Sequence, residues 1–243
     1  MSLINYENNN FYYEIIGNGP VLVLSHPYMS STTHWHKSGW VDILSEDNTL
    51  VMFDYTGHGK SSCPKEIDKY FISYVSEILI NILNENSIGK FSIFGFSMGG
   101  RICYELIRKY EDRITSMIIG GMHAKPPSSH KKIISYKEEN LSPIVKEKFD
   151  LNGLKLSNEA QDEWGGAEDI IKNYSKPCLM FAGLEDPYYN WIQSTASKFN
   201  DCELFGMDGI GHIGAFWRMN RIKEKIIYFL KMQNLERVDN ANR

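Results

Sequence analysis

Three residues of the chain could together perform nucleophilic catalysis: Ser97, Asp186 and His212. A serine hydroxyl is a weak nucleophile until an imidazole accepts its proton, and a carboxylate fixes the tautomer of that imidazole and stabilises its charged form. Such a combination typically transfers an acyl group to the serine and then to water. The three residues can do this only if the fold brings their side chains together.

The serine lies in the stretch FSIFGFSMGGRICYELI, which begins at Phe91, where β-forming residues give way to helix-forming ones. The pattern predicts a buried strand that ends near Ser97 and a helix that starts at Met98. Gly95 and Gly99 flank the serine at the positions where a sharp strand-to-helix turn leaves no room for a Cβ. The spacing G-x-S-x-G is typical of a nucleophile at such a turn, and an ordinary glycine-rich turn would also match it.

The acid candidate follows a predicted strand at 177–183, in the sequence AGLEDP. Glu185 and Asp186 are adjacent, and adjacent side chains that leave a strand point in different directions. We favour Asp186 as the acid. Its alternative role is to begin a turn at Pro187 or to cap the helix that follows.

The histidine candidate, His212, lies in the glycine-rich sequence DGIGHIG after a predicted strand at 202–207. Its flanking glycines allow a loop to bring the ring close to Ser97. We expect the other histidines outside the sheet to have different positions: His34, His36 and His130 in solvated loops or insertions, His58 in a glycine turn, and His123 near the substrate. Serine, acid and histidine thus follow three different predicted strands, in the chain order that accompanies G-x-S-x-G.

Apolar runs separated by turn signals predict strands that alternate with helices along the chain. The predicted strands are 3–6, 11–16, 21–26, 48–55, 91–97, 114–121, 177–183 and 202–207. Helices are predicted at 40–44, after 71, after 97, at 189–197 and from 222 onward, with a frayed polar tail after 235. The alternation predicts an α/β fold with a mostly parallel sheet covered by helices on both faces.

One long segment, residues 122–170, contains no predicted strand and interrupts this alternation. We interpret it as a short helical cap inserted into a core formed by residues 1–121 and 171–243. Its apolar residues are expected to pack on the core, and they are Ile133, Ile134, Leu141, Ile144 and Phe149. The alternative is a loosely attached surface insertion.

The composition narrows the possible partners. The 243 residues are 42% hydrophobic, which is enough for one large core, and the net charge of -4 with a pI of about 6.0 comes without a basic stripe. We therefore expect a small-molecule substrate rather than nucleic acid. No apolar run is long enough to span a membrane, so no membrane partner is expected. The sequence does not decide between a monomer and a homodimer.

The cysteines and the N-terminal sequence bear on cofactors and location. The four cysteines are scattered, without metal-binding spacing, so we expect reduced thiols and neither a metal nor a cofactor. The sequence MSLINYENNNFYYEI has no positively charged region before an apolar stretch, which argues against a secretory signal. These features together predict a cytoplasmic protein.

The chain resembles the α/β-hydrolase fold superfamily over nearly all of its length. The resemblance rests on GFSMGG, LSHPYM (24–29), FDYTGHGKS (53–61), GLEDP and GIGH in the right order. It implies an eight-stranded sheet, a triad of Ser97, Asp186 and His212, and an oxyanion hole formed by the backbone N–H groups of Tyr28 and Met98. Pro27 and Thr56 stand where the superfamily usually has glycine and arginine.

The residues near these motifs suggest a neutral, hydrophobic substrate. The candidate substrate-binding residues are Met29, Trp35, Met122, His123, Phe216 and Trp217. The leading interpretation is a serine hydrolase that cleaves a small carboxylic ester, a lactone or a thioester through an acyl-enzyme.

Three alternatives use the same sequence features. The scaffold also serves carbon–carbon bond hydrolases. The sequence GFSMGGR is similar to that of the elimination enzyme of the menaquinone pathway, although residues 122–176 contain no arginine to bind its carboxylates. The third alternative is a non-catalytic binding protein on a hydrolase fold.

Overall fold

A computed structural model of the protein describes residues 2–129 and 137–241. Its centre is a sheet of eight strands in the order β1-β2-β4-β3-β5-β6-β7-β8. The strands are β1 (Ser2–Tyr6), β2 (Asn9–Gly17), β3 (Val21–Ser25), β4 (Thr49–Phe53), β5 (Phe91–Phe96), β6 (Ile114–Gly120), β7 (Cys178–Gly183) and β8 (Cys202–Met207). β2 is antiparallel to β1 and β4, and the other neighbours are parallel. The predicted mostly parallel sheet is confirmed.

The helices cover both faces of this sheet. They are α1 (Thr32–Lys37), α2 (Trp40–Leu44), α3 (Ile72–Glu85), α4 (Met98–Tyr110), α5 (Pro143–Lys148), α6 (Leu151–Ala160), α7 (Tyr189–Ala196), α8 (His212–Trp217) and α9 (Lys223–Ala241). α9 continues beyond the predicted start of fraying at 235. Within the described ranges, no helix is both long and apolar enough to cross a membrane.

The alternation of side chains along the central strands explains the two layers of helices. In β3, Val23 packs into the cluster formed with α3, α4 and α7, whereas Leu22 and Leu24 pack into the cluster formed with α1, α2, α8 and α9. All three side chains are fully buried. A strand buried on both faces needs a continuous apolar run, which is what VLVL supplies.

Between β6 and β7 the described residues are helical, with α5, α6 and short 3₁₀ turns. Gly153 of α6 packs directly on the backbone of Gly57, and the Leu154 carbonyl oxygen accepts a 2.8 Å hydrogen bond from the Tyr28 hydroxyl. α6 therefore lies over the loops at the carboxyl ends of the strands. We call residues 122–170 the cap.

The apolar residues expected to attach the cap do so only in part. Ile144, on α5, is 61% exposed, whereas Leu141 and Phe149 are partly buried. Leu154 on α6, which was not among the residues expected to pack, is fully buried. The sequence pattern did not distinguish the two helices because both contain scattered apolar residues. Ile133, Ile134 and His130 lie outside the described residues.

Candidate active site

Ser97 lies at a sharp turn between β5 and α4. Its φ of 54° and ψ of -117° are unusual for a residue with a side chain, and such a conformation typically costs about 1–3 kcal/mol. A Cβ on Gly95 would lie 2.3 Å from the Gly99 carbonyl oxygen, and one on Gly99 would lie 2.0 Å from the Ser25 carbonyl oxygen. Both glycines are therefore required by the close approach of strand, turn and helix.

The structure places the three predicted side chains in a hydrogen-bonded row. His212 Nε2 lies 2.9 Å from Ser97 Oγ, and His212 Nδ1 lies 2.7 Å from Asp186 Oδ2. A carboxylate can only accept, so Nδ1 bears the proton and Nε2 of the neutral ring is free to accept from the serine hydroxyl. This is the tautomer that a general base for Ser97 requires.

The two adjacent acids have different environments. Asp186 is only 4% exposed, and its other oxygen, Oδ1, accepts from the Tyr188 backbone N–H at 2.9 Å. Glu185, in contrast, is exposed. The Tyr188 N–H in the turn after β7 thus holds Oδ1 of the Asp186 carboxylate, which leaves Oδ2 to accept from His212.

Two glycines allow the loop of His212 to approach the strand ends. A Cβ on Gly183 would lie 1.8 Å from the Ile210 carbonyl oxygen, so the end of β7 and this loop are in direct contact. Gly121, with a φ of +61°, would place a Cβ 3.1 Å from His212 Cε1. The histidine is therefore positioned by backbone packing as well as by its hydrogen bonds.

The loop after β3 lies beside the start of α4. Met98 occupies the first position of α4, where a backbone N–H has no acceptor within the helix. Tyr28 and Pro27 line the pocket above Ser97. Pro27 has no N–H, and its carbonyl oxygen accepts from His26 Nδ1 at 2.7 Å, which holds the first turn of the loop.

A cluster of buried aromatic and histidine rings packs against the loop after β3. His26 is stacked on Tyr55 at 3.6 Å, and its Nε2 accepts from the Tyr55 backbone N–H at 3.3 Å. His58 donates from Nδ1 to the Thr56 carbonyl oxygen at 3.0 Å, and its ring lies edge-on to Tyr28. The Thr56 hydroxyl and His58 Nε2 are buried and have no hydrogen-bond partner among the described residues.

The buried histidines make stability depend on pH. Burial lowers the pKa of His58 to about 4 and lowers the pKa of His26 well below its ordinary value of 6.5. The unfolded chain therefore binds more protons between these values, and the free energy of unfolding falls as the pH falls from 6.5 toward 4. For His58 alone the loss approaches about 3 kcal/mol.

Urea unfolding of the wild type and His58→Asn between pH 7 and pH 4.5 measures this effect. Asparagine keeps a donor for the Thr56 carbonyl oxygen and has no titratable ring. We expect the variant to lose less stability over this range than the wild type does. If the free energy of unfolding fell equally with pH in the two proteins, the pKa of His58 would not differ between the folded and unfolded states.

A pocket of about 280 Å³ opens beside Ser97 and His212, between the strand ends and the cap. Five of the six residues predicted to bind substrate line it: Met29, Met122, His123, Phe216 and Trp217. It is further lined by Pro27, Tyr28, Ser30, His34, Phe96, Arg101, Pro127, Asn158, Gln161, Tyr188 and Ile213. The wall is mainly apolar, and its size is near the lower end for ligand pockets.

Trp35 was predicted to bind substrate, and the structure places it elsewhere. Its side chain is fully buried between Phe94 and Phe216, at ring distances of 5.0 Å. The sequence put Trp35 near the loop motif, but α1 turns this residue toward the sheet. His34, which was expected in solvent, lines the pocket instead and packs edge-on against Trp217 at 5.8 Å.

Arg101 is the most important lining residue that the sequence analysis did not identify. It follows Ser97 by four residues on α4, a spacing that puts both on one helix face and could have indicated its position. Asn158 and Gln161 enter the pocket from the cap. No motif marks these two residues, since their position depends on how the cap packs.

A larger, more open groove of about 720 Å³ lies on another side of α4, away from Ser97. Its wall includes Glu105, Glu163 and Asp169, and none of the three predicted catalytic residues. Among the described residues, no group of three or more histidines, cysteines or acids has the arrangement of a metal site. The chemistry-bearing side chains therefore meet at the smaller pocket.

Comparison with known proteins agrees with this architecture. The family defined by the alpha/beta hydrolase fold matches residues 20–138. A putative 2-succinyl-6-hydroxy-2,4-cyclohexadiene-1-carboxylate synthase of Bacillus subtilis is 25% identical over 111 residues, 44% of this chain and 39% of that protein. A probable oxidoreductase EphD of Mycobacterium tuberculosis is 30% identical over 108 residues, 43% of this chain and 18% of that protein. Each match spans less than half of the relative's length.

Solved structures are similar over nearly the whole chain. A carboxylesterase structure from Nitrososphaera gargenis has a TM-score of 0.81 at 17% identity and covers 97% of this chain and 100% of its own. The enol-lactonase from Burkholderia xenovorans LB400 has a TM-score of 0.79 at 18% identity, covering 95% and 100%. At such identities the likeness concerns the fold alone. Together with the sequence match, it shows that the chain has the α/β-hydrolase fold.

Proposed function

We propose that the protein is a serine hydrolase that cleaves a small carboxylic ester, or a related lactone or thioester, through an acyl-enzyme on Ser97. The observation that supports this most directly is the row of Ser97, His212 and Asp186, with distances of 2.9 Å and 2.7 Å, at the wall of the pocket. A binding protein would have no need for a strained serine aligned with a histidine and a buried carboxylate.

The row can carry out both halves of the reaction. Ser97 Oγ attacks the carbonyl carbon of the ester while His212 Nε2 takes the hydroxyl proton, and Asp186 stabilises the imidazolium. When the tetrahedral intermediate collapses, His212 gives that proton to the departing alcohol oxygen. A water molecule then attacks the acyl-enzyme with the same proton transfers, which releases the acid and restores the Ser97 hydroxyl.

Two backbone amides are the proposed donors to the oxyanion. Met98 N–H lies at the start of α4, next to Ser97, and the proposed second donor is the N–H of Tyr28 in the adjacent loop. Gly99 allows the loop and helix to approach because a Cβ there would collide with the Ser25 carbonyl oxygen. Removing one donor of this kind typically costs about 10²- to 10³-fold in kcat.

The shape of the pocket limits the substrate. Phe216 and Met122 are nearly fully buried within its wall, and Trp217 lies at its rim with 44% exposure. A volume of about 280 Å³ fits a compact acyl group better than a long fatty chain. We therefore expect the rate to peak at short acyl chains and to fall as the chain lengthens.

Pre-steady-state hydrolysis of p-nitrophenyl acetate, butyrate, hexanoate and decanoate tests the proposal. An acyl-enzyme intermediate predicts a burst of p-nitrophenol approaching one equivalent per protein chain wherever deacylation is slower than acylation. A fluorophosphonate should label the protein in parallel, with the added mass on the peptide that contains Ser97. Absence of both labelling and turnover would refute a serine hydrolase and favour the elimination or binding alternatives.

A further inference from the structure

Arg101 places a positive charge in a pocket wall that is otherwise mainly apolar. Its Nη1 donates to the backbone carbonyl oxygen of Gln161 at 3.3 Å and to the side-chain oxygen of the same residue at 3.2 Å. The buried Nε has no hydrogen-bond acceptor among the residues that the structure describes. No carboxylate in the described part of the chain forms an ion pair with Arg101, in contrast to Arg108 on the same helix, which pairs with Asp169.

The position of the guanidinium is held by the cap. It lies 5.3 Å from the centre of the Trp164 ring, a cation–π contact, and Trp164 follows Gln161 at the end of the cap. Tyr188 and the neighbouring, exposed Asp162 interact electrostatically with Arg101 and favour its charged form, which partly opposes the effect of burial on its pKa. Arg101 is therefore oriented in advance, and part of its hydrogen-bonding capacity remains unused.

This arrangement has a cost unless a ligand offsets it. Burial lowers the pKa of Arg101 to about 10, so the side chain is still a cation at neutral pH. A desolvated cation without a counter-ion is unfavourable, and a guanidinium is suited to bind a carboxylate through two parallel hydrogen bonds. A wholly neutral substrate would leave this cation without an ion-paired carboxylate among the described residues.

We propose that Arg101 and Gln161 form a subsite for a carboxylate, so that the substrates are half-esters of short dicarboxylic acids. The inference rests on the proposed hydrolase function and specifies its substrate class. It also changes the expectation of a neutral substrate, which rested on the apolar residues near the motifs and did not include Arg101.

The carboxylate belongs on the acyl side of the ester. The departing alcohol oxygen must lie next to His212 because this histidine gives it a proton, and Ile213 and Trp217 of the same helix, α8, also line the pocket. Arg101 lies one helical turn after Ser97, on α4, and Gln161 of the cap is hydrogen-bonded to it. An acyl group attached to Ser97 can therefore extend along α4 toward Arg101.

Matched pairs of methyl esters test this subsite. The monomethyl esters of succinic, glutaric and adipic acid each differ from methyl butyrate, valerate and hexanoate by a carboxylate in place of a terminal methyl. We expect the wild type to have a higher kcat/KM for the half-ester in at least one pair. Arg101→Met should lower that half-ester-to-neutral ratio by about 10- to 100-fold, mainly through KM.

Two variants control for packing. Arg101→Lys keeps the positive charge but loses the two parallel N–H donors of the guanidinium. It should therefore lower the half-ester-to-neutral ratio of kcat/KM by less than Arg101→Met does. Arg108→Met removes an arginine of the same helix outside the pocket and should leave the ratio unchanged. Equal losses on both members of a pair in Arg101→Met, or no preference in the wild type, would overturn the subsite.

Binding separates this inference from the hydrolase proposal. If no ester is turned over, calorimetric titration of Ser97→Ala with monomethyl glutarate still measures the subsite. Binding that weakens about 10-fold or more when Arg101→Met is added to Ser97→Ala supports the carboxylate subsite even though the hydrolase function has failed. Equal affinities with and without Arg101, or no binding to either protein, would overturn it.

Discussion

Ser97→Ala is expected to lower kcat for ester hydrolysis by at least about 10³-fold and to abolish labelling by a fluorophosphonate. The change removes the oxygen that His212 Nε2 contacts at 2.9 Å, so no covalent intermediate can form. The backbone at this turn should persist, because the Ser97 N–H still donates to the Gly120 carbonyl oxygen. Stopped-flow hydrolysis, mass spectrometry and thermal unfolding measure the three effects.

The matched control is Ser197→Ala, at an exposed serine whose hydroxyl donates to the nearby Ser194 carbonyl oxygen. This variant should be labelled and should turn over substrate like the wild type. A Ser97→Ala protein that kept its burst and its turnover would remove the basis for the hydrolase proposal. A loss of folded protein in Ser97→Ala would be seen independently in the unfolding curve.

Asp186→Asn is expected to lower kcat/KM by about 10³- to 10⁴-fold, because it reverses the tautomer of His212. Asp186 accepts from Tyr188 N–H with Oδ1 and from His212 with Oδ2. If the asparagine oxygen keeps the bond to Tyr188, its NH₂ group faces Nδ1, which must then accept. The ring proton moves to Nε2, and the histidine can no longer accept the proton of Ser97.

Glu185→Gln is the control for this prediction, since it makes the same chemical change at the adjacent, exposed acid. Its kcat/KM should stay within about twofold of the wild type, as is usual for a surface substitution away from the site. Steady-state kinetics on one p-nitrophenyl ester measure both variants. A larger loss of kcat/KM in Glu185→Gln than in Asp186→Asn would show that Glu185, and not Asp186, is the acid that orients His212.

The positions of the strands along the chain could be predicted from the sequence because their signals are local. The run VLVL gives β3 its two buried faces, and β8 has the bounds that its apolar pattern predicts. Helix ends were less predictable: α9 continues to Ala241 through a polar stretch, and α1 was not predicted. Both cases lack the apolar periodicity on which the prediction depends.

The identity of the three candidate catalytic residues could also be inferred from the sequence. Ser97, Asp186 and His212 each follow a different strand, and parallel strands bring their carboxyl ends to one edge of the sheet. The sequence favoured Asp186 over Glu185, and the structure adds the direction that the turn gives each of these adjacent side chains. Burial and the Tyr188 N–H supply that direction.

The sequence by itself determined the fold class, the positions of the strands along the chain and the residue types at the ends of three of them. Only the tertiary structure decided which side chains form the pocket. Trp35 is packed under the sheet, while His34 and Arg101 face the pocket. Local patterns specify periodicity along one element, whereas a pocket is formed by several elements whose relative packing depends on contacts distant in sequence, such as that between Arg101 and Gln161.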